Sequence, residues 1–223
     1  MNFKPMPLAD IYEALFQAWG HQHWWPGETP LEVAVGAILV QNTAWTHVEK
    51  AIRNLRDADA LGLPAIHEAP LPQLQAWIRP AGTYRIKAQR LRAFTTLVMD
   101  HFDGRLENLL VLPVADLRKL LLTVHGIGPE TADSIMLYAA GQPQFVVDAY
   151  TRRFMKRHRW LRGTESYDKI AEMCTQQLPR EADLYNEFHA LIVRLGKDHC
   201  RSQPQCDMCP LQSFLPKDGA DLT

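Results

Sequence analysis

The sequence has no apolar run approaching the ~20 residues that a membrane span needs, so no membrane is expected as a partner. Its N-terminal stretch, MNFKPMPLADIYEALF, has neither a basic start nor a long apolar segment, which argues against a secretory signal. It has no excess of positive charge. Twenty-four Lys and Arg face 25 Asp and Glu, for a net charge of −1 and a pI near 6.7. That excludes a coat protein binding nucleic acid through bulk charge. There is no convincing strand alternation and no internal repeat. Cysteine is scarce, with four residues, and close spacing of three of them suggests a metal or cluster more than disulfides.

What is present is ordinary in amount: 47% hydrophobic and 22% charged residues over 223 positions, enough for one large core or two smaller lobes. Helical periodicity runs through the chain. Residues 9–19 repeat apolar positions at Ile11, Ala14, Leu15, Ala18 and Trp19. Thr29 and Pro30 are suited to cap and begin a helix over 29–40 that is apolar nearly all round. A helix follows with Val48, Ile52 and Leu55 inward. Residues 58–72, with Pro64, Pro70 and Pro72, are expected to be a connector. Short and long helices are expected over 71–78 and 84–102. Later helices are expected over 114–124, 150–160, 167–178 and 181–195. The fold class expected is all-α.

The most informative stretch is 119–154, KLLLTVHGIGPETADSIMLYAAGQPQFVVDAYTRRF. Leu120, Leu121, Leu122 and Val124 close one helix. His125-Gly126-Ile127-Gly128 make a tight turn, since two glycines permit a sharp reversal. Pro129 suits the first position of a second helix, and Ala132, Ile135, Met136 and Ala139 give it a buried face. A helix N-terminus with exposed N–H groups suits a phosphate. Asp148 then follows the apolar Phe145-Val146-Val147, 20 residues beyond Gly128.

The hairpin HGIGPETA at 125–132 with VVDAY at 146–150 resembles the helix-hairpin-helix, Gly/Pro-rich, Asp (HhH-GPD) superfamily of DNA base-excision glycosylases. The segments LEVAVGAILVQNTAW and IRPAGTYRIKAQRLRAF and the final Cys group extend the resemblance over roughly residues 30–210. Trp-Trp-Pro, Gln-Asn-Thr and Glu-Thr-Ala-Asp look most like the endonuclease III-related branch that includes 3-methyladenine DNA glycosylases. The resemblance implies a two-lobed helical fold with a C-terminal Cys loop. One lobe, 30–140, would hold the hairpin. The other would combine 1–29 with 141–223, and substrate would enter between them. It implies double-stranded DNA with a damaged base as partner. A monomer and a cytoplasmic location, with activity at the bacterial nucleoid, are expected.

The resemblance also assigns roles. Asp148 would stabilise the oxocarbenium character that builds on the sugar as an N-glycosidic bond breaks; as an Asp opening a helix, it also suits an N-cap. Glu130 stands where lyases of the family carry a Schiff-base lysine, so a monofunctional enzyme with water as nucleophile is expected. An acid there also suits the helix dipole. Trp24, Trp25 and Trp45 are candidates for a pocket that stacks a flipped base, or else core filler. An N-alkylated purine, being cationic, would gain ~1–2 kcal/mol over an indole face. Gln41 and Asn42 would fill the gap left by the base, or cap their helix.

Lys87, Arg152 and Arg153 fall in two basic runs, around 85–92 and 152–162, that are either phosphate tracks or solvated helix faces. With His125, Gly126, Ile127, Gly128 and Thr131 they complete the candidate DNA contacts. Cys200, Cys206 and Cys209 resemble three ligands of the family's [4Fe–4S] cluster, but Leu215 occupies the fourth place. Cys174, His199 or Asp207 as substitutes, zinc, or no metal are the alternatives. Two other functions remain open: an endonuclease III-like glycosylase/lyase for oxidised pyrimidines or mismatches, and a non-catalytic damage-binding protein.

Overall fold

The computed structural model describes residues 6–24 and 27–222. Among them there are twelve α-helices and no strand. None is long and apolar enough to cross a membrane. The chain forms two compact units, Trp25–Gln142 and Met1–Trp24 with Pro143–Thr223.

The Trp25–Gln142 unit contains α2 (Pro30–Leu39), α3 (Trp45–Asp57), α4 (Leu63–Glu68), α5 (Leu71–Trp77), α6 (Tyr84–Phe102), α7 (Leu106–Leu110), α8 (Val114–Leu121) and α9 (Pro129–Ser134). Thr29 caps α2 by accepting the Glu32 N–H at 3.2 Å, and Pro30 follows it. Eight of the ten α2 residues are buried, as its all-round apolarity requires. Val48, Ala51, Ile52 and Leu55 of α3, Leu91, Phe94 and Val98 of α6, and Leu117 and Leu121 of α8 join the same core. The expected connector over 58–72 is not loop throughout. Pro64 sits in the first turn of α4, where a proline's missing N–H costs nothing. Beyond α9 the chain continues as a π-turn, Ile135–Ala139, with Ala140 N–H bonding the Ile135 carbonyl.

The second unit contains α1 (Leu8–Trp19), α10 (Ala149–Arg157), α11 (Tyr167–Thr175) and α12 (Ala182–Asp198). Its centre is aromatic. Phe145 meets Tyr185 and Phe188 edge-on with ring centroids 5.5 and 5.9 Å apart, and Tyr12 meets Phe188 at 5.5 Å. Gly196 on α12 lets α10 approach: a Cβ there would overlap the Tyr150 ring.

Candidate active site

The hairpin is α8, the turn 122–128 and α9. His125 and Gly128 are exposed, whereas Ile127 turns into the core. Gly126 has φ +85°, and a Cβ would overlap the Arg90 side chain; both conditions select glycine. Gly128, at φ −93°, needs no such freedom. Beneath the turn, Gln41 donates to the Gly126 carbonyl at 3.1 Å and to the Thr131 hydroxyl at 2.7 Å, and its own carbonyl accepts from Arg90. The two helices are tied by Arg118, which grips Asp133 through Nε at 2.7 Å and Nη2 at 3.3 Å. Asp133 is buried, so this bidentate partner is what makes its charge tolerable there.

This geometry corrects several expectations. Thr131 is a buried brace and Ile127 a core residue, so of the turn candidates only His125 and Gly128 are exposed. Lys87 is 1% exposed and its ammonium donates to the Ala81 carbonyl at 2.7 Å; it supports the 79–82 turn from inside and is not on the expected exposed basic track. Burial, with the nearby Arg90 charge second, lowers its pKa to about 8. Asn42 is exposed in the left-handed region, φ +54°. Glu130 is exposed in the first turn of α9.

In the second unit Asp148 caps α10. Its Oδ1 accepts the Thr151 N–H at 2.7 Å and the Thr151 hydroxyl at 2.8 Å. Its Oδ2 lies 3.6 Å from His189 Nε2 of α12. Asp148 is 9% exposed. Burial alone would raise its pKa, but the His189 and Thr151 contacts together hold it below its ordinary value. The two sequence readings of Asp148, cap and buried reactive carboxylate, are therefore compatible.

The basic run that follows is turned largely inward. Arg153 donates to the carbonyls of Cys200 at 2.6 Å and Gly196 at 3.0 Å and covers the Tyr150 ring at 4.9 Å. Buried Arg157 donates to the Cys200 sulfur at 3.2 Å and to the carbonyls of Arg201 and Ser202. Arg152 donates to the Glu165 carbonyl at 3.0 Å, and Arg159 forks onto Asp218. Arg153 thus braces the C-terminal loop where a phosphate contact was expected. His158 is buried against Phe154 and Trp160.

Cys200, Cys206 and Cys209 line one small cavity with Arg157, His158, His199 and Leu215. Cys174 is buried on α11 and is not among its lining residues. His199 stacks on Trp19, and its Nδ1 is buried without a hydrogen-bond partner. Burial raises the pKa of the Cys206 and Cys209 thiols. No group of three or more His, Cys, Asp or Glu among the described residues stands in metal-holding geometry. The residues present do not complete a four-thiolate cradle, and two arginines already hold the loop.

Of the candidate pocket tryptophans, Trp25 lies outside the described residues. Trp45 packs, partly buried, against the core of the hairpin unit. Trp24 belongs to the other unit, where it lines a surface groove with Gln22, Val193, Arg194 and Lys197 and has the Lys197 ammonium 5.8 Å from its ring. The strand of chain leading to it is fastened by Glu187, which accepts the Gln22 N–H at 2.7 Å and faces His21 Nδ1 at 3.0 Å. Neither Glu187 nor His189 carried a sequence signal beyond being polar residues within an apolar helical pattern.

A braced glycine hairpin and a buried ionised aspartate capping a later helix define a helical protein of base-excision repair type. The chain belongs to the HhH-GPD superfamily of base excision DNA repair proteins, whose model matches residues 35–180. It is 44% identical over 206 residues to the "Putative DNA repair glycosylase MJ1434" of Methanocaldococcus jannaschii, covering 92% of this chain and 93% of the relative. It is 28% identical to Endonuclease III of Bacillus subtilis, covering 83% and 80%. In structure it resembles Helicobacter pylori 3-methyladenine DNA glycosylase (MagIII) bound to 1,N6-ethenoadenine, with TM-score 0.75, 27% identity and coverage of 86% and 98%. An endonuclease III–DNA complex matches with TM-score 0.82 over 97% of each chain at 22% identity, a likeness of fold.

Proposed function

We propose that the protein is a monofunctional DNA N-glycosylase that hydrolyses the N-glycosidic bond of a damaged base, with N-alkylated purines as the substrate class. The observation that carries this is Asp148, buried yet held ionised, in a chain whose lyase position holds Glu130. As the bond from C1′ to the base nitrogen breaks, its electron pair leaves with the base and positive charge grows on the sugar. A carboxylate shielded from water stabilises that charge strongly. Water then forms the new C1′–O bond and loses a proton to the carboxylate. Glu130 has no amine and forms no Schiff base.

An N-alkylated purine is already cationic and leaves as a neutral base, so this chemistry needs little acid assistance. The likeness to a 3-methyladenine DNA glycosylase supports the same substrate class. The exposed turn of the hairpin, opening α9, suits a DNA phosphate. Excision is tested with duplexes carrying alkylated, oxidised, deaminated or mismatched bases, with Asp148→Asn as control. Release of alkylated purines by the wild type but not by the variant is expected. Borohydride trapping on an abasic duplex tests the second half: a strong covalent adduct would defeat the monofunctional assignment.

A further inference from the structure

The two oxygens of Asp148 are treated differently. Oδ1 is committed to Thr151, three residues along the same helix, through two hydrogen bonds. Oδ2 points to α12, where His189 is the ion-pair partner at 3.6 Å. A carboxylate's terminal torsion is broad and two-fold, and a cap bond to one oxygen leaves the other free to swing. We infer that His189 is a positioning residue for the Asp148 carboxylate, holding Oδ2 in place from the opposite helix. This rests on the catalytic reading of Asp148 given above.

Three observations support it. Both side chains are buried, where water competes little for a polar contact to the carboxylate. The separation exceeds a direct hydrogen bond, as catalytic contacts often do before substrate closes them. Several charged groups on the elements packed around Asp148 are engaged elsewhere, while the Tyr185 hydroxyl and the Asn186 side-chain carbonyl of α12 carry no charge. On α10, Arg152 and Arg153 donate to backbone carbonyls. On α12, Glu187 takes Gln22 and His21. Tyr167 accepts the Val147 N–H at 3.3 Å, and residues 145–147 carry no titratable side chain. His189 is also among the contacts that keep the pKa of Asp148 low.

The test uses the full chain with His189→Leu, which removes the ring nitrogens, and His189→Gln, which keeps an N–H donor. Asp148 is titrated by ¹³C-carboxyl NMR, and N-methylpurine release from dimethyl-sulfate-treated duplex DNA is followed in single turnovers across pH. In His189→Leu the Asp148 midpoint should rise, the acid limb of the rate should move up with it, and the maximal rate should fall about 100-fold with half-saturation unchanged. His189→Gln should recover part of the rate.

An Asp148 midpoint identical in wild type and both variants overturns the inference. So does a rate loss that merely follows weakened DNA binding. If His189→Leu does not fold, the His189→Gln titration decides, and if wild type releases no methylpurine, the NMR arm decides alone. Release retained by Asp148→Asn would sink the Asp148 reading itself; an inactive Asp148→Asn beside a wild-type-like His189→Leu removes only the His189 assignment.

Discussion

The hairpin and the helix capped by Asp148 handle buried polarity in opposite ways. In the hairpin, polar side chains lie underneath and tie one another: Arg118 to Asp133, and Gln41 to Thr131 and Arg90. The turn above is left to present its exposed His125 and Gly128. Around α10, cations bind neutral acceptors. Arg153 and Arg157 take backbone carbonyls and a thiol of the C-terminal loop, and the Asp148 carboxylate is left to Thr151 and His189. A row of arginines in sequence is therefore no guide to a basic surface. In the hairpin the side chains serve a backbone turn; around α10 the arginines serve the C-terminal loop and leave the buried Asp148 to Thr151 and His189.

The sharpest way to separate the two regions is to remove charge from each. Asp148→Asn should lower the excision rate about 10²- to 10⁴-fold while leaving the melting temperature close to wild type, because the amide oxygen still caps α10. DNA binding should persist. A variant that loses stability and rate in parallel would make Asp148 a cap and nothing more.

Arg118→Ala should do the reverse. It removes the bidentate partner of the buried Asp133 carboxylate, a loss of about 3 kcal/mol in denaturant unfolding, and its effect on excision should follow the loss of folded protein. Arg157→Ala should cost about 2–3 kcal/mol by leaving two carbonyls and the Cys200 sulfur without their donor. Because arginines hold that loop, an iron or zinc chelator should leave the melting temperature of the wild type unmoved. A large drop on chelation would show that a metal, not Arg157, carries the loop. Gly126→Ala should cost about 1–3 kcal/mol through strain at positive φ and displacement of Arg90, and should weaken DNA binding more than Arg157→Ala does.

Local rules made part of this legible. Thr29-Pro30 announced the start of α2, the glycine turn and Pro129 announced the hairpin, and Asp148 announced a cap, because each acts within four residues of itself. Short α4 and α7 were hidden, since a single turn or two yields little periodicity and prolines look like breaks. The fates of Lys87, Thr131 and Arg153 were hidden for another reason. A long polar side chain has the same appearance in sequence whether it meets solvent or a carbonyl 43 residues away, as Arg153 does at Gly196. His189 was invisible as a partner of Asp148 because only the packing of α10 on α12 brings them together.

The smallest effect sets two buried charges against each other by pH. Lys87 is lowered to about 8 in the folded protein, against about 10.4 for an unfolded chain. In that window the unfolded chain holds a proton that the folded chain has released, so stability rises with pH. The neutral amine still donates to the Ala81 carbonyl, so nothing is lost on deprotonation. Asp148 works at the other end. Its pKa is depressed on folding, so its contribution is present above the unfolded value of about 3.9 and disappears as pH falls through the folded one. Lys87→Met should flatten the rise in unfolding free energy between pH 7.5 and 9.5 and leave the acid branch alone; Asp148→Asn should flatten the acid branch and leave the alkaline one. Denaturant melts at the four corners of that comparison check it, and an alkaline slope unchanged in Lys87→Met would mean that the lysine is not the group that titrates there.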